Sequence, residues 1–122
     1  MLKLIQVLSE TIAVTQAGTL YSAAFETRKS AGTLIILIST SAGSITVTQQ
    51  CGLTEDGTFY DPVSAAAAAL GAITAAGFTV GTRYISISPV AAPWSRIKIV
   101  EANSAATSVV VKVYQLIDTN WR

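Results

Sequence analysis

Between Ser44 and Cys51 the chain alternates: Ile45 and Val47 fall on one side of an extended backbone, Thr46 and Thr48 on the other. This is the period-two pattern of a strand that buries one face. Thr54-Glu55-Asp56-Gly57-Thr58-Phe59-Tyr60-Asp61-Pro62 follows. Asp56-Gly57 supplies the positive φ angles of a two-residue hairpin turn, Phe59-Tyr60 restarts an extended segment, and Pro62 stops it. With Arg83-Tyr84-Ile85-Ser86-Ile87-Ser88 downstream, the pattern predicts a small β-sandwich whose work is done by its surfaces.

Strand signals recur at short intervals with no linker between them, so residues 1–122 are expected to form one domain. Extended segments are predicted at Leu2–Leu8, Ile12–Thr15, Leu20–Arg28, Thr33–Ser39, Ser44–Cys51, Ala72–Val80, Thr82–Ser88, Arg96–Glu101 and Thr107–Ile117. Gln16-Ala17-Gly18, Lys29-Ser30-Ala31-Gly32, Ser41-Ala42-Gly43 and Asn103-Ser104-Ala105 lie between apolar runs and suit turns. Ile97 and Ile99 oppose Arg96, Lys98 and Val100; Val109, Val111, Val113 and Gln115 oppose Val110, Lys112, Tyr114 and Leu116. Leu34-Ile35-Ile36-Leu37-Ile38 is apolar on both faces, which predicts a central strand covered once by its own core and again by a loop or a neighbouring subunit. Ser64-Ala65-Ala66-Ala67-Ala68-Ala69-Leu70 breaks the β pattern. It fits a short helix, with Ser64 as N-cap, or a small-residue loop packed against a neighbour.

Composition narrows the function. Apolar residues make up 51% of the chain and charged ones only 12%, against roughly 25% charged in an ordinary globular domain. A surface so poor in charge is expected to be covered in part by neighbouring subunits. Eight basic and seven acidic residues, scattered singly, give a net charge of +1, so no polyanion-binding stripe forms and nucleic acid is not an expected partner. The start Met1–Leu8 is interrupted by Gln6 and followed by Glu10, unlike a signal peptide, and no stretch has the length of a membrane-spanning helix. The chain is expected to be made in a cytoplasm and to meet no membrane.

There are no histidines, which removes the commonest general base and metal ligand. The lone Cys51 has no histidine to activate it and reads as a structural thiol. Glu55, Asp56 and Asp61 lie close in sequence, but turn chemistry accounts for each, and a calcium site wants more oxygens at regular spacing. No enzymatic activity, metal or cofactor is expected. Pro93-Trp94 is the best candidate for a sugar-stacking platform among the aromatics, with a plug at the sandwich end or a subunit seam as the other reading.

The order of strand, Thr54-Glu55-Asp56-Gly57-Thr58-Phe59-Tyr60-Asp61-Pro62 and Gly81-Thr82-Arg83-Tyr84-Ile85-Ser86-Ile87 resembles small structural proteins of tailed bacteriophages, of the capsid-decoration and minor-virion type, over roughly residues 20–117. The same two elements look like the discoidin and galactose-binding jelly rolls, from which the chain departs at Ser86, where those modules carry arginine. The phage resemblance implies an all-β, antiparallel, jelly-roll-like sandwich without enzymatic activity. Such a protein sits on a virion lattice, often as a trimer, touching copies of itself and the major capsid protein or other virion subunits. Contacts are then expected from an N-terminal arm, residues 1–8, with Leu2, Leu4, Ile5 and Val7, from Ala67 and Leu70, and from Trp94 and the terminal Trp121. A carbohydrate-binding or adhesin module using Trp94, Tyr60 and Asp61, and a tail-tube or filament subunit, are the alternatives.

Overall fold

The computed structural model describes residues 2–27, 30–61, 69–74, 81–87, 92–102 and 105–118. These form strands β1 (Leu2–Val14), β2 (Thr19–Tyr21), β3 (Phe25–Glu26), β4 (Ser30–Thr40), β5 (Ser44–Gly52), β6 (Phe59–Tyr60), β7 (Ala69–Thr74), β8 (Gly81–Ile87), β9 (Trp94–Glu101) and β10 (Thr107–Asp118). No helix occurs among the described residues. All pairing is antiparallel. Sheet A runs β1-β10-β4-β8; sheet B has β9 and β5 at its centre, β2 and β3 flanking β9, and β6 and β7 flanking β5. Taking β2 with β3 and β6 with β7 as interrupted strands leaves two sheets of four positions each, with the chain crossing between sheets at most connections. That is the jelly-roll arrangement, and the all-β sandwich expected from the sequence.

The alternation read from the sequence sets the core. Leu34, Ile36 and Ile38 of β4 and Val109, Val111 and Val113 of β10 point inward from sheet A, against Ile45 and Val47 of β5 and Ile97 and Ile99 of β9. All ten side chains are fully buried. Sheets stack about 10 Å apart, and branched aliphatic side chains fill that spacing well.

Several local expectations are corrected. Leu2–Leu8 is the first half of β1, paired with β10 from Leu2↔Asp118 onward and continuous with the segment read separately at Ile12. The register shifts between Gln6 and Leu8, so Val7 is the extra residue of a bulge and the inward side changes from Ile5 to Leu8, Ile12 and Val14. Ser30, Ala31 and Gly32, read as part of a turn, belong to β4. Asp56-Gly57 is not a two-residue hairpin turn: β5 and β6 are joined by residues 53–58, with the Gly57 N–H donating to the Thr54 carbonyl at 3.4 Å. Glycine is favoured at this fourth turn position, and a side chain there would run into Thr54. The predicted 64–70 helix lies mostly outside the described residues; Ala69 and Leu70 open β7.

Polar clusters close both ends of the core. At one end Glu101, only 2% exposed, accepts from the Ala17 N–H at 3.0 Å and the Ser44 N–H at 3.1 Å. It thereby ties the β1–β2 turn to the arch that carries the chain from β4 to β5. Ala17 is held at φ 59 and Gly43 at φ 66, the left-handed region that a side chain disfavours. Beside them Thr40 and Thr107 hydroxyls lie 2.6 Å apart, and the Ala42 N–H donates to Thr107 Oγ1 at 3.0 Å. At the opposite end Gln49 Nε2 donates to Ser95 Oγ at 3.0 Å, and Ser95 Oγ lies 3.1 Å from Thr27 Oγ1. The Gln115 amide donates to the Glu26 carbonyl. Where β2 gives way to β3, Ser22 fills the gap: its N–H donates to the Ile97 carbonyl and its Oγ accepts from the Ile97 N–H, both at 2.9 Å.

Glu101→Ala leaves two loop N–H groups without an acceptor, at a cost of about 1–3 kcal/mol for each one that stays buried. The expected result is a clearly lower urea midpoint, with a smaller loss for Glu101→Gln. A Cβ at Gly43 would meet Glu101 Oε2 at 2.8 Å and the Ala105 carbonyl at 2.9 Å, so Gly43→Ala is expected to destabilise by at least about 1 kcal/mol in the same measurement.

Candidate functional site

Because both inner faces are consumed by the core, the chemistry available to a partner lies on the two outer faces and at the ends. Directly opposed residues share a face, so the register defines each surface. On sheet A, Leu4 faces outward opposite Leu116, Gln6 opposite Tyr114, and Thr11 opposite Val110, while Tyr114 opposes Ile35 and Lys112 opposes Leu37. Leu4 is 50% and Leu37 36% exposed; Ile35, Val110, Tyr114 and Leu116 are half-buried. Lys112 is the charged group among the described side chains of this face. The second face of Leu34–Ile38 is therefore apolar, as expected, and nothing within the described chain lies over it as a third layer.

The outer face of sheet B is built differently. Arg96 of β9 stands between two rings, its guanidinium carbon 3.9 Å from the centre of Tyr21 and 4.8 Å from that of Phe59. Its Nε donates to Gln50 Oε1 at 2.7 Å. Gln50 Nε2 donates in turn to Asp61 Oδ1 at 2.9 Å, and Lys98 Nζ lies 3.4 Å from Asp61 Oδ2. Gly52 keeps the stack in place, because a Cβ there would meet the Phe59 ring at 2.9 Å. The Gln50 amide, with the Lys98 ammonium helping, holds the Asp61 carboxyl below the usual aspartate value. Arg96 and Lys98 thus lie on a central strand and, with Asp61 beyond β6, join residues from β2, β5 and β6.

Next to this network is a groove of about 260 Å³ lined by Cys51, Gly52, Leu53, Tyr60, Asp61, Ala92 and Pro93. Leu53 is 81% and Tyr60 66% exposed. Burial pushes the Cys51 thiol up, which lowers its thiolate fraction and suits a structural thiol. No group of three His, Cys, Asp or Glu residues that could hold a metal is present among the described residues.

The contact residues expected from the sequence scatter across the fold. Leu4 is on the outer face of sheet A, but Ile5 and Val7 turn inward and line a cleft of about 210 Å³ with Glu26, Gln115 and Ile117. Leu2 and Leu70 lie in β1 and β7; Ala67 and Trp121 lie outside the described residues. Trp94 is half-buried opposite Gly52 and Glu26, and the groove is walled by Ala92 and Pro93 instead. Tyr60 and Asp61, named for the carbohydrate alternative, do share the groove. Sequence reasoning missed the Tyr21–Arg96–Phe59 stack; an arginine on a strand whose alternate residues are aliphatic was the available signal.

No known protein family and no curated protein matches the chain. Among solved structures, PirA aligns with a TM-score of 0.50 at 14% identity, over 84% of this chain and 90% of that one. A Bacillus endospore appendage, from a family described as disulfide-linked pili, aligns with a TM-score of 0.46 at 12% identity, over 97% of this chain and 92% of that one. At such identities the PirA likeness speaks for the all-β fold alone. A fold matched by 66 solved chains hosts many functions, and function must be argued from the surfaces.

Arg96→Lys keeps the charge but loses the planar group between the rings, and is expected to destabilise by about 1 kcal/mol in urea. In a double-mutant cycle with Tyr21→Leu the two losses should not add. The lowered Asp61 pKa means its stabilising contribution is present above the ordinary aspartate value and is lost as pH falls through the lowered one, below about pH 4. A carboxyl NMR titration should show that low midpoint, and Gln50→Ala should raise it.

Proposed function

We propose that this chain is a non-enzymatic structural subunit of a tailed-phage particle, seated on the capsid lattice through the outer face of sheet A. The observation that carries the reading is the second apolar face of β4, with Leu37 and Leu4 exposed on the same sheet. An apolar sheet face of this kind on a lone subunit favours association. The partner is a larger shell subunit rather than a second copy, because Lys112 stands beside Leu37 and two such faces packed on a two-fold axis would bring like charges together. A shell surface with an acidic residue among apolar ones complements it. Copies of the chain meet elsewhere, along β1, the outermost strand of sheet A among the described residues, to give the trimer that the phage resemblance implies. The sequence resemblance and the jelly-roll fold support this reading, and the assembly site is the virion.

The test is cosedimentation of the purified chain with capsid shells isolated from phage lysates of its host. Wild type should pellet with the shells, and Leu37→Asp, on a surface that can accept it without unfolding, should bind about tenfold more weakly or worse. Wild type remaining in the supernatant, or Leu37→Asp binding equally well, would sink the proposal. So would light scattering showing that the isolated chain pairs through this face and that Leu37→Asp makes it monomeric.

A further inference from the structure

The groove beside the Arg96 stack has walls fixed from inside the fold, which is what a binding site needs and a casual surface dent lacks. On one side, Thr27 Oγ1 donates to the Ala92 carbonyl at 2.7 Å and the Thr27 N–H donates to the Pro93 carbonyl at 2.9 Å. Thr27 is itself buried and sits 3.1 Å from Ser95 Oγ. On the other side, Asp61 is aimed by Gln50 and Lys98. Between them, Tyr60 and Leu53 are the two most exposed of the large hydrophobic side chains described.

The lining chemistry selects the occupant. An aromatic ring and a leucine offer apolar contact to one flank of a small molecule, and a carboxylate with lone pairs left after Gln50 and Lys98 accepts hydrogen bonds from hydroxyls. A metal ion is poorly served by one carboxylate already beside an ammonium, and an anion would meet Asp61. The volume falls just below the range typical of drug-sized ligands, which suits one ring. We infer that the groove walled by Tyr60, Leu53, Asp61 and Pro93 binds a neutral sugar ring, with Tyr60 against the C–H face and Asp61 accepting from adjacent hydroxyls. This goes beyond the structural role proposed above and uses the opposite sheet.

The experiment titrates D-galactose, D-glucose and N-acetylglucosamine separately into the isotope-labelled full chain and follows amide shifts, with glycerol as the control polyol. At least one sugar should give saturable shifts at Leu53, Tyr60, Asp61 and Ala92. Asp61→Asn and Tyr60→Ala, each with a thermal midpoint close to wild type, should weaken binding about tenfold. Leu37→Asp should leave it unchanged, which separates this inference from the capsid reading. No saturable shift with any of the three sugars, shifts matched by glycerol, or saturable binding that survives both groove variants would overturn it.

Discussion

Everything in this fold depends on ten aliphatic side chains meeting between two sheets. Leu34, Ile36, Ile38, Val109, Val111 and Val113 from one side and Ile45, Val47, Ile97 and Ile99 from the other are fully buried, and their spacing fixes the register of the four central strands. A one-residue slip would exchange the faces of a whole strand. In β9 the price would be exact: Arg96 and Lys98 would enter the core and Ile97 and Ile99 would leave it. The aliphatic positions therefore determine the outer surfaces as strictly as the inner ones, including the placing of Arg96 between its two rings.

The ends of the sandwich obey a second constraint. A strand that leaves one sheet for the other must bend, and the freed backbone groups need partners. Glu101, Thr40 and Thr107 supply them at one end; at the other Thr27 bonds the Ala92 and Pro93 carbonyls, with Ser95 and Gln49 hydrogen-bonded behind it. These clusters fasten loops to strands, so loop geometry at both ends is inherited from the core. The walls of the groove are one product of that arrangement.

What the sequence revealed and what it hid follow from the range of the interactions. Alternation in Ser44–Cys51, Arg96–Glu101 and Thr107–Ile117 is local and led to the correct faces, and the equally local two-sided apolar run Leu34–Ile38 led to the central position of β4. β1 was read as two strands because the polar run Ser9-Glu10-Thr11 separates its apolar stretches, whereas pairing with β10 carries it unbroken to Val14, with a bulge at Val7 that the residues of β1 alone do not announce. Ser30-Ala31-Gly32 has turn-like composition, yet cross-strand pairing with β10 keeps its start extended. The candidate site was the least legible part: Arg96 reaches Gln50 across 46 positions of sequence, and Thr27 reaches Ala92 across 65, distances over which no local pattern carries information. Tyr60 and Asp61 were noticed as neighbours in sequence, while the opposing wall at Ala92 and Pro93 emerged only with the fold.

The two outer faces point away from each other across a layer about 10 Å thick. Substitutions farther apart than about 7–10 Å without shared partners contribute almost independently. A change at Leu37 or Val110 therefore has no route, other than through an unusually rigid core, to Tyr60 or Arg96. Each surface is free to drift under its own selection: one could follow changes in whatever it lies upon while the other diversified toward new surroundings. The sandwich, in evolutionary terms, is an insulator.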